Sequence, residues 1–431
     1  MGPLLESFRN LFRIPEVRRR ILWTFGLLAV FRIGCHVPLP GVDPVAVRAF
    51  ADEAARSMGG LWSVLQMFSG EAVGRLALFS LGIAPHITAS ILVQLLTKVV
   101  PSLETLSKEG PRGRRELKKI TLYATVPLCL LEAGAAAWRL AGSPLLLSDG
   151  FGTLSLLVAG LTAGSLFVVW LGDQITERGL GNGASVLIMA GIVVRLPAVA
   201  DDLLRRWRNG VMGVDVLLVV VAFALAAVVA TVFISQAQRR IPLQRPVHVR
   251  GRRLELGGRN YLPLQMLTAG VMPIIFASTL LALPSMAGLL PGLAWLARTF
   301  EHGGFPFTVV YLAAILFLSF FWTYAFLNPA EIAQQLRESG SAIPGLRPGE
   351  KTVGYLNGIL GRITLCGAVL LALLALLPGF ACRALGVGPM LEAFVGGSGL
   401  LIVVGVGLDL IKKLESSLLL HHYRGFLGKV K

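Results

Sequence analysis

Charge is scarce in this 431-residue chain: charged residues make up 15% and hydrophobic residues 55%. A soluble globular domain carries about a quarter charged residues, so that class is excluded and lipid is the expected solvent. Acid is the scarcer sign, with 24 Asp and Glu against 40 Lys and Arg and a net charge of +16. In a soluble protein this balance points to nucleic acid. Here most basic residues lie in short segments between long apolar runs, the pattern of membrane orientation. Cysteine is sparse too. Cys35, Cys129, Cys366 and Cys382 form no C-x-x-C pair and mostly fall in or beside apolar runs, so they read as small apolar fillers rather than metal or redox groups. Neither H-E-x-x-H nor G-x-S-x-G occurs. Gly345-Leu346-Arg347-Pro348-Gly349-Glu350-Lys351-Thr352 imitates a phosphate loop, but Glu350 occupies the second glycine's place and its carboxylate repels phosphate. No cofactor and no enzymatic activity are expected. Charges within the apolar runs are few, Arg32, Glu132 and Asp409 among them, with Asp173 at an end. They form no relay of paired carboxylates and histidines, which argues against an ion-coupled pump.

What is abundant is apolar length. A span needs about 20 mostly apolar residues, and ten windows qualify: 21–37, 76–97, 120–141, 152–172, 184–200, 214–234, 264–283, 307–327, 359–378 and 394–411. All are expected to be helical, because lipid cannot satisfy an open backbone. The N-terminal stretch with Arg9, Arg13, Arg18, Arg19 and Arg20 reads as a surface amphipathic helix and not a removed signal. The N-terminus, the even-numbered connections and the C-terminus, counted with Arg362 at the start of the ninth run, hold 29 of the 40 basic residues. By the positive-inside rule both termini are therefore cytoplasmic. The fifth connection, with Arg195, Arg205, Arg206 and Arg208, runs against the rule and is partly offset by Asp201, Asp202 and Asp215. Arg239, Arg240, Arg250, Arg252, Arg253 and Arg259 in the sixth connection exceed what orientation needs and suit an anionic cytosolic partner such as ribosomal RNA.

Between the first two spans, Leu61-Trp62-Ser63-Val64-Leu65-Gln66-Met67-Phe68 is too short to cross. It is either a helix lying on the protein surface or a re-entrant element. Gly82 and Pro85 in the second span recur as Gly270 and Pro273 in the seventh, where each pair permits a bend. Each of these spans is second in a group of five, which points to two halves of opposite topology. Ile83 and Ile87 share a helix face, beside the polar Thr88, Ser90 and Gln94. That face is either a hydrophobic constriction or ordinary lipid or helix packing.

Eight blocks then carry a resemblance: Phe31-Arg32-Ile33-Gly34 before Pro38-Leu39-Pro40-Gly41; Met67-Phe68-Ser69-Gly70; Gly82-Ile83-Ala84-Pro85 with Ile87-Thr88-Ala89-Ser90; Lys108-Glu109-Gly110 with Gly113-Arg114-Arg115; Ile175 to Gly183; Gln238-Arg239-Arg240-Ile241; Ile274 to Ser278; and Pro344 to Gly349. The chain resembles the bacterial SecY family over nearly its whole length. The resemblance implies an all-α membrane protein of ten transmembrane helices in two inverted five-helix halves, residues 1–205 and 206–431, with a short re-entrant plug helix at about 58–70. It implies a protein-conducting channel of the cytoplasmic (inner) membrane that passes unfolded secretory polypeptides and releases apolar segments into lipid.

Residue roles follow from the same resemblance. The pore ring falls on Ile83, Ile87, Ala184, Ile188, Ile275 and Ile402, where Ala184 is smaller than the isoleucine common at its position. The plug comprises Leu61, Trp62, Val64, Leu65, Met67 and Phe68. The lateral gate includes Thr88, Gln94, Glu132, Leu267 and Ser278, with Glu132 and Leu267 replacing the usual glutamine and asparagine. Long cytoplasmic loops at about 235–263 and 328–358 are expected to dock the SecA motor or a translating ribosome through Arg239, Arg240, Arg252, Arg253 and Arg347. Implied partners are SecE, SecG, signal-bearing precursors and membrane lipid. A secondary transporter built on inverted repeats is the alternative that span count and orientation alone allow, with an intramembrane enzyme third.

Overall fold

The computed structural model describes residues 15–57, 62, 66, 69–148, 150–244, 249–250, 253–254, 260–268, 270, 272–287, 295, 299, 304–346, 349–387, 391–392, 394 and 398–427. The chain divides into two compact units, one of residues Met1–Leu217, Gly386–Phe394 and Val406–Lys431, the other of Leu218–Leu385 and Val395–Gly405.

The first unit opens with α1 (Pro15–Gly34) and the amphipathic α2 (Pro44–Ser57). Then come α3 (Ala84–Val99), α4 (Pro101–Lys108), α5 (Pro111–Leu140), α6 (Phe151–Arg178), α7 (Gly183–Val193) and α8 (Leu196–Arg208). Helix α5 packs on α3 and α6, and α6 packs on α1 and α7. Lys118 Nζ on α5 lies 3.0 Å from Asp173 Oδ1 and 3.6 Å from Glu177 Oε1 on α6. The cluster of Leu39, Val42, Ala133, Ala137, Leu157 and Leu161 ties the loop after α1 to α5 and α6.

Helix α9 (Val214–Gln236) leads into the second unit. Strand β1 (Gln238–Leu243) pairs antiparallel with β4 (Asn260–Gln265), with Ile241 opposite Leu262, and the short β2 (Val249–Arg250) pairs with β3 (Arg253–Leu254). There follow α10 (Met272–Ala287), α11 (Phe305–Phe326), α12 (Pro329–Glu338) and α13 (Glu350–Ala384). The last helix is α14 (Ser398–Leu427), which crosses from the second unit back into the first. Asn328 caps α12 by accepting the Ala330 amide at 3.1 Å, with Pro329 preset for the first helical position.

Among the described residues, six helical segments are long and apolar enough to span a membrane: Pro111–Leu140, Phe151–Arg178, Gly183–Arg208, Val214–Gln236, Phe305–Glu338 and Glu350–Ala384. A seventh is added if α3 and α4, bent by 99° at their junction, count as one. Large apolar side chains such as Phe25, Trp138, Leu218, Phe233 and Phe317 are exposed on the apolar helices, as lipid-facing surfaces require. On α9 only Val220, Ala227 and Thr231 are buried.

The structure corrects three expectations from sequence. The second predicted span is not helical from residue 76. Its first eight residues run as turns in which the Leu78 amide donates to Val37 O at 2.8 Å and the Leu39 amide to Leu76 O at 3.1 Å. Pro38, Pro40 and the left-handed Leu76 (φ 41°) keep both partners out of a helix. The seventh predicted span likewise begins inside β4, with Leu264 opposite Arg239, and turns helical only at Met272. Where they are described, the long connections are not irregular loops. The β1/β4 hairpin, α12 and the start of α13 share a core of Ile241, Leu264, Ala333, Ile343, Leu356 and Leu360, and Gln244 exchanges two backbone hydrogen bonds with Ala342.

Candidate functional site

The two Gly-x-x-Pro sequences do more than bend a helix. Gly82 (φ 56°) and Gly270 (φ 58°) are both left-handed, and each lies two residues before a helix whose second residue is a proline, Pro85 in α3 and Pro273 in α10. Glycine accepts the left-handed backbone without a Cβ penalty, and proline suits the first turn because its missing N–H has no acceptor there. The same device at corresponding places in both units starts each helix late, leaving non-helical backbone before it. Unwound backbone at membrane depth is tolerated only where neighbours satisfy it. Ser165 on α6 does so for the first unit, donating its hydroxyl to Gly82 O at 2.9 Å, while Cys129 Sγ on α5 lies 3.4 Å from that hydroxyl.

The lip of this break carries the pore-ring candidates. Ile83 is the N-cap of α3, and the Ile87 amide donates to Ile83 O at 3.1 Å, so the two stack one turn apart. Ile83 is 3% exposed, Ile87 5% and Ile188 2%, which removes these three from any lipid-facing surface. In the other unit Ile275 on α10 and Ile402 on α14 are also buried. Ala184 is half-buried at the start of α7, where Asn182 Oδ1 accepts its amide at 3.1 Å.

Ile83 and Ala184 border a cavity of about 310 Å³ in the first unit. Much of its remaining wall is polar: His86, Lys118, Asp173, Thr176, Asn182 and Lys413. His86 Nδ1 lies 3.0 Å from Thr125 Oγ1, and Thr176 Oγ1 accepts the Gly183 amide at 2.8 Å. The cavity thus joins polar and charged side chains to an apolar border that includes Ile83 and Ala184.

Of the plug candidates, Trp62 is described and buried, its ring 6.1 Å from Phe50 of α2 in an edge-on arrangement. Leu61, Val64, Leu65, Met67 and Phe68 lie outside the described residues. The chain emerging from this segment is well tied. Gly70 (φ 63°) ends a helical turn, and the Glu71 amide donates back to Gln66 O at 2.9 Å, a Schellman-type stop. Arg32, isolated in the sequence, finds its partners here: Nη1 donates to Gly70 O at 3.0 Å and Nη2 to Glu71 Oε2 at 3.4 Å. Nothing in the sequence spacing signals this pairing.

The gate candidates divide between the units. Thr88 Oγ1 donates to Ala84 O at 3.2 Å and Gln94 Nε2 to Ser90 Oγ at 2.7 Å, both on α3, and Glu132 is half-buried on α5. In the second unit Leu267 is buried in the turn before α10, and Ser278 Oγ donates to Ile275 O at 2.9 Å. The docking candidates Arg239 and Arg240 are exposed on β1, and the Arg240 guanidinium stacks 4.9 Å over the Tyr261 ring. Arg253 lies in β3 opposite Arg250, whereas Arg252 and Arg347 are outside the described residues.

A family model described as SecY matches residues 77–411. The chain belongs to the SecY family. It is 37% identical over 432 residues to the protein translocase subunit SecY of Thermotoga maritima, covering 99% of this chain and 98% of that one. It is 38% identical over 446 residues to its namesake from Streptomyces scabiei, covering 98% of this chain and all of that one. Two solved structures share the fold. One, described as the structure of a protein conducting channel, superposes with a TM-score of 0.63 at 18% identity, covering 94% of this chain and 96% of that one. The other, Sec61 in the canine ribosome-channel complex, superposes with a TM-score of 0.60 at 16% identity over the same shares. The chain therefore has the SecY fold, mostly helical and multi-pass.

Proposed function

We infer that this SecY-family chain is the channel subunit of a protein translocase, moving unfolded secretory polypeptides across the bacterial cytoplasmic membrane and releasing apolar segments sideways into lipid. The observation that carries this reading is the cavity of mixed polar and apolar lining bordered by buried Ile83 and by Ala184, at the late start of α3. Ile83, Ile87, Ala184, Ile188, Ile275 and Ile402 form the ring that seals the idle channel by dewetting. The segment at 58–70 acts as its plug, and ten spans in two inverted halves, 1–205 and 206–431, build the walls with both termini in the cytoplasm.

Transport then follows from transfer energetics. An apolar nascent segment gains about 25 cal/mol for each Å² it moves from the wet pore into lipid. A polar segment loses by the same move and passes through. Thr88, Gln94, Glu132, Leu267 and Ser278 line the lateral exit. Arg239, Arg240, Arg252, Arg253 and Arg347 dock a SecA-type motor or a ribosome, whose anionic surface suits arginine. SecE and SecG complete the complex.

The experiment is site-specific photocrosslinking in vesicles that carry the chain with SecE. The reactive group is placed at Ile87 or Ile275, and a stalled secretory precursor and motor are supplied. Adducts at both positions that require the signal sequence are expected. Absence of adducts while the same vesicles translocate the precursor removes the channel reading and favours a small-solute transporter.

A further inference from the structure

Glu71 adopts φ 71°, directly after the left-handed Gly70. An acidic side chain has no intrinsic reason to sit in this backbone, so its surroundings must hold it there. They do so with charge. Glu71 Oε2 lies 3.4 Å from Arg32 Nη2 on α1 and 3.7 Å from Arg75 Nη2 in the following turn. Arg195, buried at the break between α7 and α8, lies within electrostatic reach of the same carboxylate. Three arginines from three parts of the first unit thus converge on one acid. Glu71 itself is largely withdrawn from water, its side chain 23% exposed, so the attraction is screened less than on an open surface.

The backbone on either side is fixed with it. Arg32 also holds Gly70 O, Cys35 Sγ donates to Ser69 O at 3.7 Å, the Val73 amide donates to Ser69 Oγ at 3.3 Å, and Ser80 Oγ donates to Ala72 O at 3.0 Å. Every one of these bonds fixes the direction in which the chain leaves Gln66 and Ser69.

We propose that Glu71 is a positioning residue of the channel, its carboxylate gathered by Arg32 and Arg75 so that the chain leaving the 58–70 segment is held in the resting arrangement and the idle pore stays tight. The proposal rests on the reading of that segment as the plug. A neutral side chain at 71 leaves the left-handed backbone without its electrostatic hold, and the stop after Ser69 then unwinds.

The test is resting ion permeability of vesicles containing the full chain with its partner subunits. Glu71→Gln, which keeps the shape and removes the charge, is expected to raise the leak several-fold, and so is Arg32→Gln. The double variant is expected to leak no more than the leakier single, because both substitutions break the same ion pair. A merely structural loss at two independent places gives additive leaks instead, and that result overturns the proposal. If the Gln variant does not assemble, Arg32→Gln, which removes the partner and leaves residue 71 unchanged, carries the test alone and the same leak is expected. Deletion of residues 58–68 separates the two readings. A leaky deletion beside a tight Glu71→Gln overturns the positioning role alone, whereas a tight deletion overturns the plug reading and the proposal with it.

Discussion

At the scale of single residues, the decisive groups are small and neutral. Ser165 satisfies the carbonyl that the break at Gly82 leaves free. Ser165→Ala leaves that buried acceptor unpaired, at a cost of about 1–3 kcal/mol. A lowered unfolding temperature for the detergent-solubilised complex is the measurement, and an unchanged one means the carbonyl finds another donor. The ring makes a second prediction. Ile87→Asn or Ile188→Asn places an amide in the proposed constriction and is expected to raise resting ion conductance several-fold, read as dye-reported ion flux. The isoleucines were legible as one helix face, since Ile83 and Ile87 are a turn apart. Their burial was not, because spacing cannot tell a lipid-facing stripe from an inward one. Arg32 and Glu71 were less legible still, since the pair is separated by 39 residues of sequence.

Among elements, the β1/β4 hairpin shows how a packed platform is built from what reads as a basic loop. Alternation hides in Gln238-Arg239-Arg240-Ile241-Pro242-Leu243, where Ile241 faces the core shared with α12 and α13 and the arginines stay outside. Leu264→Ala or Ile241→Ala is expected to cost about 2–5 kcal/mol in this local core. Faster proteolysis within 238–265 is the readout, while the resting leak of the channel stays at its parental value. Ten apolar windows were read as continuous helices because hydropathy averages over about 19 residues and overlooks a break. The breaks at Gly82 and Gly270 were present as a recurring Gly and Pro, and were read as bends. A positive φ at glycine followed by proline in the first turn is a helix start, and that is the correct physical weight of the pair.

For the whole molecule, the proposed docking rests on arginines exposed on β1, outside the apolar helices. Arg239→Ala with Arg240→Ala is expected to weaken the docking of an anionic partner and to flatten its salt dependence, since each phosphate left without its arginine takes about one unit from the slope of log affinity against log salt. Binding isotherms at several salt concentrations check this, and an unchanged slope places the docking surface elsewhere. Composition and apolar length by themselves marked the chain as a mostly helical membrane protein. These properties are sums over local residues, and the free energy of transfer into a bilayer is close to such a sum. Tertiary structure alone decided where helices break, which carbonyl Ser165 satisfies, which acid Arg32 meets and that the basic loops fold as a hairpin on α12 and α13. Those outcomes rest on interactions between residues far apart in sequence, whose energies depend on the distance and burial that only the folded chain creates.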